Sequence, residues 1–276
     1  MIYRYILFSL LLGIMGIFLF EYGYEKFYIE TPFEFKEFFI PPQKEEILGE
    51  YPSKVLDLSN WKITLPVGTQ KKATHPLEIR QPDLSRYALK PWFILADGGD
   101  AVVFRAPVNA PTTSNTKYAR SELREMKDKG KNPAAWSSVK GRHEMYLDQA
   151  ITAMPKVKQH VVAGQIHDSD DDVIVIRLEY PNLYVNVDGE NVHTLDSEYT
   201  LGKRFTVRFV VEKGKTSVYY NGKSNPSYTL DLEYSDAYFK AGVYTQSNCK
   251  KEEKDAYCNG DNYGEVILYD LEVKHT

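Results

Sequence analysis

Three short segments combine residues that bind anions with residues that exchange protons. They read RSELRE at 120–125, QIH at 165–167 and YFKAGVYTQ at 238–246. Alternate residues of a β-strand share one face, so each segment, as a strand, separates its polar side chains from its apolar ones. The polar set comprises Arg120, Glu122, Arg124, Gln165, His167, Lys240, Tyr244 and Gln246. Each segment alone is compatible with ordinary solvated surface, whereas the three together indicate the floor of a site.

The remainder of the chain indicates the elements that carry this surface. From Val55 onward it consists of short alternating or apolar runs separated by turn residues, with hairpin signals at Asp188-Gly189 and Lys213-Gly214 and a further turn at Asn221-Gly222. No long stretch of this region has a helical period. We expect an all-β fold, an antiparallel β-sandwich of the jelly-roll type, with one concave sheet exposed to solvent.

The N-terminus differs from this pattern. Arg4 is followed by an uncharged apolar run from Tyr5 to Phe20, whose length suits either a signal peptide or a membrane anchor. Because the first alanine is Ala73, signal peptidase lacks a good cleavage site, and we favour an uncleaved signal-anchor at residues 1–22. This N-terminal hydrophobic helix precedes a stem or linker at 23–52 and a domain at 53–276. The domain is then extracellular or lumenal and membrane-anchored, or secreted if the segment is cleaved.

Charge and cysteine content restrict the partners. The formal net charge is -4, and no basic cluster of the kind that neutralises many phosphates is present, so no nucleic acid is expected. We expect a monomer. Cys249 and Cys258 lie nine positions apart in a polar stretch. In a translocated domain they are expected to form a disulfide worth about 2 to 3 kcal/mol, with two free surface thiols as the alternative.

No cofactor or metal is expected. The acidic run at 168–172 lacks the glycine and the distal glutamate of a helix-loop-helix calcium site, and we interpret it as a solvated loop. The two cysteines have neither a neighbouring histidine nor the spacing of a zinc site. The histidines outside the three segments are interpreted as structural: His75, His143, His160, His193 and His275.

The three segments resemble the signature motifs of the alginate lyases of polysaccharide lyase family 7. The stretches LDLSNWKITLPVG at 56–68 and LGKRFTVRFVVEKGKTSVYYNG at 201–222 also resemble that family, so the similarity extends roughly from Val55 to the C-terminus. It implies a jelly roll that binds an anionic uronate polymer and cleaves it by β-elimination. The family's catalytic residues correspond to Arg120, Gln165, His167 and Tyr244, and its substrate-binding positions to Glu122, Arg124, Lys240 and Gln246.

These residue types suit an elimination at a uronate. The C5 proton lies next to a carboxylate, so its removal requires that carboxylate to be neutralised by a cation and hydrogen-bond donors. Arg120 and Gln165 fit this role, His167 can act as a donor or a base, and Tyr244 fits the acid and also, for some substrates, the base. We expect Lys240 and Arg124 to lower the pKa of Tyr244 towards the working range.

The chain departs from the family at Thr245, where asparagine is common, and in its N-terminal anchor and stem, which are not part of the family domain. Ile166 in QIH resembles the family members that act on guluronate-containing stretches, whereas valine there is associated with mannuronate. A lyase of the same fold acting on another polyuronate, such as a glucuronan, is the first alternative, and a non-catalytic uronate-binding module is the second. A glycoside hydrolase is disfavoured because the paired-carboxylate pattern E-x-D-x-x-E is absent from the sequence.

Overall fold

A computed structural model describes residues 51–114 and 116–276. The predicted signal-anchor at 1–22 and all but the last two residues of the predicted stem at 23–52 lie outside this part of the chain. Across the described residues, no helix is long and apolar enough to cross a membrane. The membrane attachment therefore stays a prediction.

The regular secondary structure of the described chain is almost entirely β-strand. Sixteen are present there: β1 (Trp61–Gly68), β2 (Pro76–Ile79), β3 (Phe93–Leu95), β4 (Val102–Pro107), β5 (Arg120–Lys127), β6 (Asn132–Pro133), β7 (Arg142–Ala153), β8 (His160–His167), β9 (Asp172–Glu179), β10 (Asn182–Val187), β11 (Glu190–Asp196), β12 (Arg204–Glu212), β13 (Lys215–Tyr220), β14 (Tyr228–Asp231), β15 (Tyr238–Thr245) and β16 (Tyr263–His275). Short 3-10 helices occupy Pro52–Lys54, Asp83–Arg86 and Asp255–Tyr257.

The strands form two antiparallel sheets. The nine-stranded sheet has the order β11-β10-β9-β8-β15-β5-β1-β2, with β6 paired to β5, and the seven-stranded sheet has the order β14-β13-β12-β7-β16-β4-β3. The predicted turns connect neighbours: β10 joins β11 at Asp188 and Gly189, whose φ angles of 50° and 79° suit a tight hairpin turn. The predicted jelly-roll sandwich is thus confirmed.

Alternation of side chains places the core between the sheets. In β15, Phe239, Ala241 and Val243 are fully buried and belong to one hydrophobic cluster with residues of the opposite sheet. Tyr238 and Tyr244 alternate with them and are only half-buried. The period of two that is visible in the sequence therefore separates core from site in this strand.

The three predicted site strands are direct neighbours, in the order β8-β15-β5. The ladder between β15 and β8 is irregular between Lys240 and Tyr244, where Gly242 has φ of 116° and Gly164 of β8 has φ of 98°. A Cβ atom on Gly242 would lie 2.6 Å from the backbone oxygen of Ser121 and 2.8 Å from Cδ1 of Phe104. Glycine at 242 therefore permits a close approach that no side chain would allow.

The loop after β15 is held by a disulfide and by a buried carboxylate. Cys249 and Cys258 are bonded, which confirms the predicted pairing. Between them, Glu252 is fully buried, and its carboxylate accepts hydrogen bonds from the backbone N–H groups of Val157 and Lys158 at 2.9 and 3.2 Å. This contact fixes the loop against the segment that leads into β8.

Candidate active site

Backbone register brings the predicted site residues onto one face. The pairs across β5, β15 and β8 are Tyr244 with Arg120, Lys240 with Arg124, Lys240 with Gln165, and Tyr238 with His167. Glu122 lies opposite Gly242. Gln246 follows the last residue of β15, where its backbone N–H donates to the oxygen of His160 at 3.1 Å. Seven of the eight predicted residues thus share three adjacent strands, and the eighth adjoins them.

A buried carboxylate organises the centre of this face. Glu122 is 1 % exposed. Its Oε2 accepts from Nη1 of Arg120 at 2.8 Å and contacts Nζ of Lys240 at 2.7 Å, and its Oε1 accepts from Nε2 of Gln165 at 2.5 Å. One side chain therefore fixes the position of two cations and one amide. In the structure its carboxylate oxygens are occupied by these protein contacts, while its predicted role in substrate binding stays a prediction.

The cluster keeps its charges and has positive charge in excess. Burial favours the neutral form of Glu122, but Lys240 and Arg120 outweigh it and hold the pKa of this carboxyl below its ordinary value. Burial lowers the pKa of Lys240 to about 8, against the opposing effect of Glu122. At neutral pH two cations thus face one carboxylate. The excess positive charge, held in a poorly hydrated place, suits the binding of a further anion.

Tyr244 lies against the Arg120 guanidinium. Cζ of Arg120 is 4.1 Å from the centre of the Tyr244 ring, and the phenol oxygen is in short hydrogen-bond contact with Oγ1 of Thr116. Burial raises the pKa of Tyr244, and the opposing effects of Arg120 and Thr116 are smaller. The prediction that Lys240 and Arg124 bring this pKa down to the working range is therefore wrong. The neutral phenol is a proton donor.

His167 has the properties of a base. Its Nδ1 is 2.8 Å from the backbone oxygen of Asp168, and a carbonyl oxygen only accepts, so Nδ1 carries the proton of the neutral ring. Burial, reinforced by Lys240, lowers the pKa of His167 below its ordinary value. The imidazole is thus neutral at neutral pH, with Nε2 as the basic nitrogen.

His167 and Tyr244 flank the same charged cluster from opposite ends. Arg120 and Glu122 influence the pKa values of both residues. The pKa of Tyr244 also responds to Asp172, the register partner of His167 on β9. In a flat strand Tyr238, the register partner of His167, would lie about 20 Å from Tyr244, and the ladder is irregular between these two positions, beside Gly242.

Two residues that contact the site, Tyr238 and Thr116, are not in the set predicted from the sequence. Arg124, predicted to bind substrate, donates from Nη1 to the backbone oxygen of Glu125 at 2.7 Å and lies over the ring of Tyr238 at 3.9 Å. Tyr238 in turn stacks on His167. It was detectable, because it continues the alternation that ends at Tyr244. Thr116, which contacts Tyr244, lies before β5 in a loop whose sequence has no periodic pattern.

The acidic run beside His167 forms a turn. Oδ1 of Asp168 accepts from the backbone N–H groups of Asp170 and Asp171 at 2.8 and 3.1 Å. Throughout residues 51–114 and 116–276, no group of three or more His, Cys, Asp or Glu side chains is arranged to hold a metal ion. The expectation of metal-free chemistry stays a prediction.

This jelly roll carries cations, a neutral imidazole and a neutral phenol on one sheet. These are the functional groups that a polysaccharide lyase uses. Comparison with known proteins agrees with this class. The family model described as alginate lyase matches residues 56–275, and the chain therefore belongs to the alginate lyase family.

Individual relatives support the assignment. An alginate lyase of Klebsiella pneumoniae is 26% identical over 291 residues, which cover 81% of this chain and 91% of the relative. The structure of the alginate lyase AlgAT5, from polysaccharide lyase family 7, is 48% identical with a TM-score of 0.77 over 83% of this chain and 100% of its own. The family 7 alginate lyase A1-II′, in complex with the substrate GGMG, is 25% identical with a TM-score of 0.65 over 83% and 97%.

Proposed function

We propose that this protein cleaves alginate by β-elimination, with a preference for guluronate-containing stretches. The observation that carries the proposal is the cluster in which Glu122 holds Arg120, Gln165 and Lys240 between His167 and Tyr244. A substrate carboxylate added to this cluster balances its excess positive charge. The relative that contains the substrate GGMG supports an alginate-type polymer as the ligand.

The first step is neutralisation of the uronate carboxylate. Nη1 of Arg120 and one amide hydrogen of Gln165 are held by Glu122, which orients both side chains and leaves Nη2 of Arg120 and the second amide hydrogen for the substrate. Because these donors are already oriented, they stabilise the developing enolate without reorganisation. Removal of one such donor typically lowers kcat about 10²- to 10³-fold.

The second step transfers two protons and breaks the C5–H and C4–O bonds of the substrate. Nε2 of His167 takes the C5 proton, the electron pair of that C–H bond forms the C4–C5 double bond, and the C4–O bond breaks. Tyr244 gives its phenol proton to the departing oxygen, which becomes the hydroxyl of the other product. Solvent then restores the proton of Tyr244 and removes that of His167, so no other reactant is consumed.

The division of roles supports the guluronate preference. In guluronate the C5 proton and the departing oxygen lie on opposite faces of the sugar, so elimination uses a separate base and acid. In mannuronate they lie on the same face, where one tyrosine can serve both roles. The neutral imidazole of His167 and the raised pKa of Tyr244 fit a two-residue mechanism better than a phenolate base.

The test follows ultraviolet absorbance on separate polymers of guluronate, mannuronate and glucuronate. Elimination creates a conjugated unsaturated uronate that absorbs, whereas binding and hydrolysis do not. The fastest increase is expected on polyguluronate. Faster turnover of polyglucuronate would favour the glucuronan alternative, and binding without absorbance on any polymer would favour the non-catalytic module.

The decisive variant is Tyr244→Phe. Loss of the proton donor is expected to lower kcat about 10²- to 10⁴-fold while polymer binding is kept. Tyr219→Phe is the matched control, because the Arg208 guanidinium lies 4.2 Å from the Tyr219 ring on the other sheet, yet this tyrosine is remote from the site. Tyr244→Phe activity close to that of the wild type would contradict the assignment.

A further inference from the structure

A three-layer stack stands beside the catalytic cluster. Tyr238 and His167 are register partners on β15 and β8, and their rings lie 5.3 Å apart at an angle of 17°. The guanidinium of Arg124 lies 3.9 Å from the centre of the Tyr238 ring. The phenol oxygen of Tyr238 is also 3.2 Å from Nδ1 of His167.

The outer layer of this stack is fixed to the backbone. Nη1 of Arg124 donates to the oxygen of Glu125 at 2.7 Å, and Nη2 donates to the oxygen of Ala134 at 3.4 Å. The guanidinium plane is therefore a rigid support for the Tyr238 ring. Stacking on a planar cation restricts the motion of an aromatic side chain.

The hydrogen bonds of His167 define one tautomer. The Asp168 oxygen accepts from Nδ1 at 2.8 Å, and the Tyr238 oxygen lies at the same N–H group. Within the described part of the chain, Nε2 of His167 makes no hydrogen bond, so this nitrogen is the one left for a substrate. Rotation of the imidazole by half a turn about Cβ–Cγ would put Cδ2 in the place of Nδ1 and Cε1 in the place of Nε2, so the hydrogen bond to the Asp168 oxygen and the position of the basic nitrogen would both be lost.

We propose that Tyr238 is a positioning residue, which holds the His167 imidazole in the orientation and tautomer that leave Nε2 as the basic nitrogen. The inference rests on the proposed function in one respect, namely that His167 is the base. Tyr238 itself exchanges no proton in the reaction. Its ring restricts the imidazole by stacking, and its oxygen shares the Nδ1–H group.

The test begins without substrate. In protein labelled with isotopic nitrogen in its histidines, the nitrogen NMR signals of His167, assigned by their loss in His167→Asn, report the tautomer directly. The wild type is expected to carry its proton on Nδ1. Tyr238→Met removes both stacking and the oxygen and is expected to mix the tautomers, and Tyr238→Phe keeps the stack and is expected to change them less.

Kinetics supply the second readout. Tyr238→Met is expected to lower kcat about 10²-fold, as misplacement of a catalytic group by about 1 Å does, with KM little changed, and Tyr238→Phe is expected to lower it less. The matched control is Tyr228→Phe, because Tyr228 stacks on His193 with centroids 6.2 Å apart at 27° outside the site. It is expected to leave both readouts unchanged.

The outcomes separate the two proposals. A folded Tyr238→Met variant that changes neither the tautomer nor kcat overturns the positioning role, even if the wild type cleaves alginate. If Tyr238→Met does not fold, Tyr238→Leu, which also removes both the stack and the oxygen, decides in the same way. A wild type that gives no ultraviolet product, but whose His167 tautomer depends on Tyr238, would retain the positioning role and overturn the proposed function.

Discussion

At the scale of single residues, Glu122 is the side chain on which the site depends most. It joins Arg120, Gln165 and Lys240 while almost fully buried. The sequence predicted Glu122 as a site residue because it shares the face of Arg120 and Arg124. Its place beneath the cluster was not predictable, because alternation gives the face of a residue but not the depth of its side chain.

We expect Glu122→Gln to lower both stability and activity. Removal of one partner of a buried ion pair leaves uncompensated charge and typically costs about 3 to 5 kcal/mol, which urea unfolding measures. Glu272→Gln is the matched control, because Glu272 contacts Lys274 at 2.7 Å, the same distance as Glu122 and Lys240, but is exposed. Its effect is expected to be below about 1 kcal/mol.

A double variant makes the comparison sharper. Lys240→Met combined with Glu122→Gln removes both partners, and it is expected to lose less stability than the sum of the two single variants. Losses that simply add, or a loss in Glu122→Gln no greater than in Glu272→Gln, would contradict the central role of the buried carboxylate.

At the scale of elements, alternation and turn residues predicted much of the sandwich. The strand YFKAGVYTQ separates core from site residues, and the Asp188-Gly189 and Lys213-Gly214 hairpins connect neighbouring strands. The strand order was not predictable in the same way. β15 pairs with β5 and β8 across more than seventy residues of chain, and local sequence contains no signal for such a long-range pairing.

The packing of the site strands is expected to be disturbed by a side chain at position 242. In Gly242→Ala the new methyl group would meet the Ser121 oxygen and the Phe104 ring, and φ of 116° is strained for alanine. A loss of about 2 kcal/mol or more is expected, measured by urea unfolding, together with reduced kcat.

Gly260→Ala provides the control for that substitution. A Cβ atom at 260 meets nothing within 4 Å, so stability and activity should stay close to those of the wild type. An equal tolerance of alanine at 242 and 260 would mean that the close approach of β15 and β5 is not required.

At the scale of the whole molecule, one buried and two half-buried histidines couple stability to pH. Burial lowers the pKa values of His143, His160 and His167 below the ordinary value of 6.5. Near and below that value the unfolded chain takes up protons that the folded chain resists. Stability is therefore expected to fall as the pH is lowered through about 6.5.

Carboxyl groups modify the profile at lower pH. Burial raises the pKa of Asp172 to about 6. Between that pH and its ordinary pKa of 3.8, Asp172 adds stability as the pH falls, which is opposite to the effect of the histidines. Glu122, whose pKa is lowered, contributes stability that is lost as the pH falls through its folded value. The clearest window is therefore pH 7.5 to 6, where urea midpoints should decrease.

The same urea measurements in high salt control for the change of net charge that acidification causes. Salt screens long-range repulsion but has little effect on burial, so the decrease between pH 7.5 and 6 should persist in high salt. A midpoint that is flat, or that rises on acidification, would contradict the role of the histidines.

The position of β15 has a consequence for biosynthesis. Its two partners, β5 and β8, emerge from the ribosome long before it does, and until it arrives each offers an unsatisfied edge that can recruit a strand from another polypeptide. The strand that brings Lys240 and Tyr244 is also the one that closes this gap. Catalytic competence and protection from aggregation are thus acquired in the same late folding event.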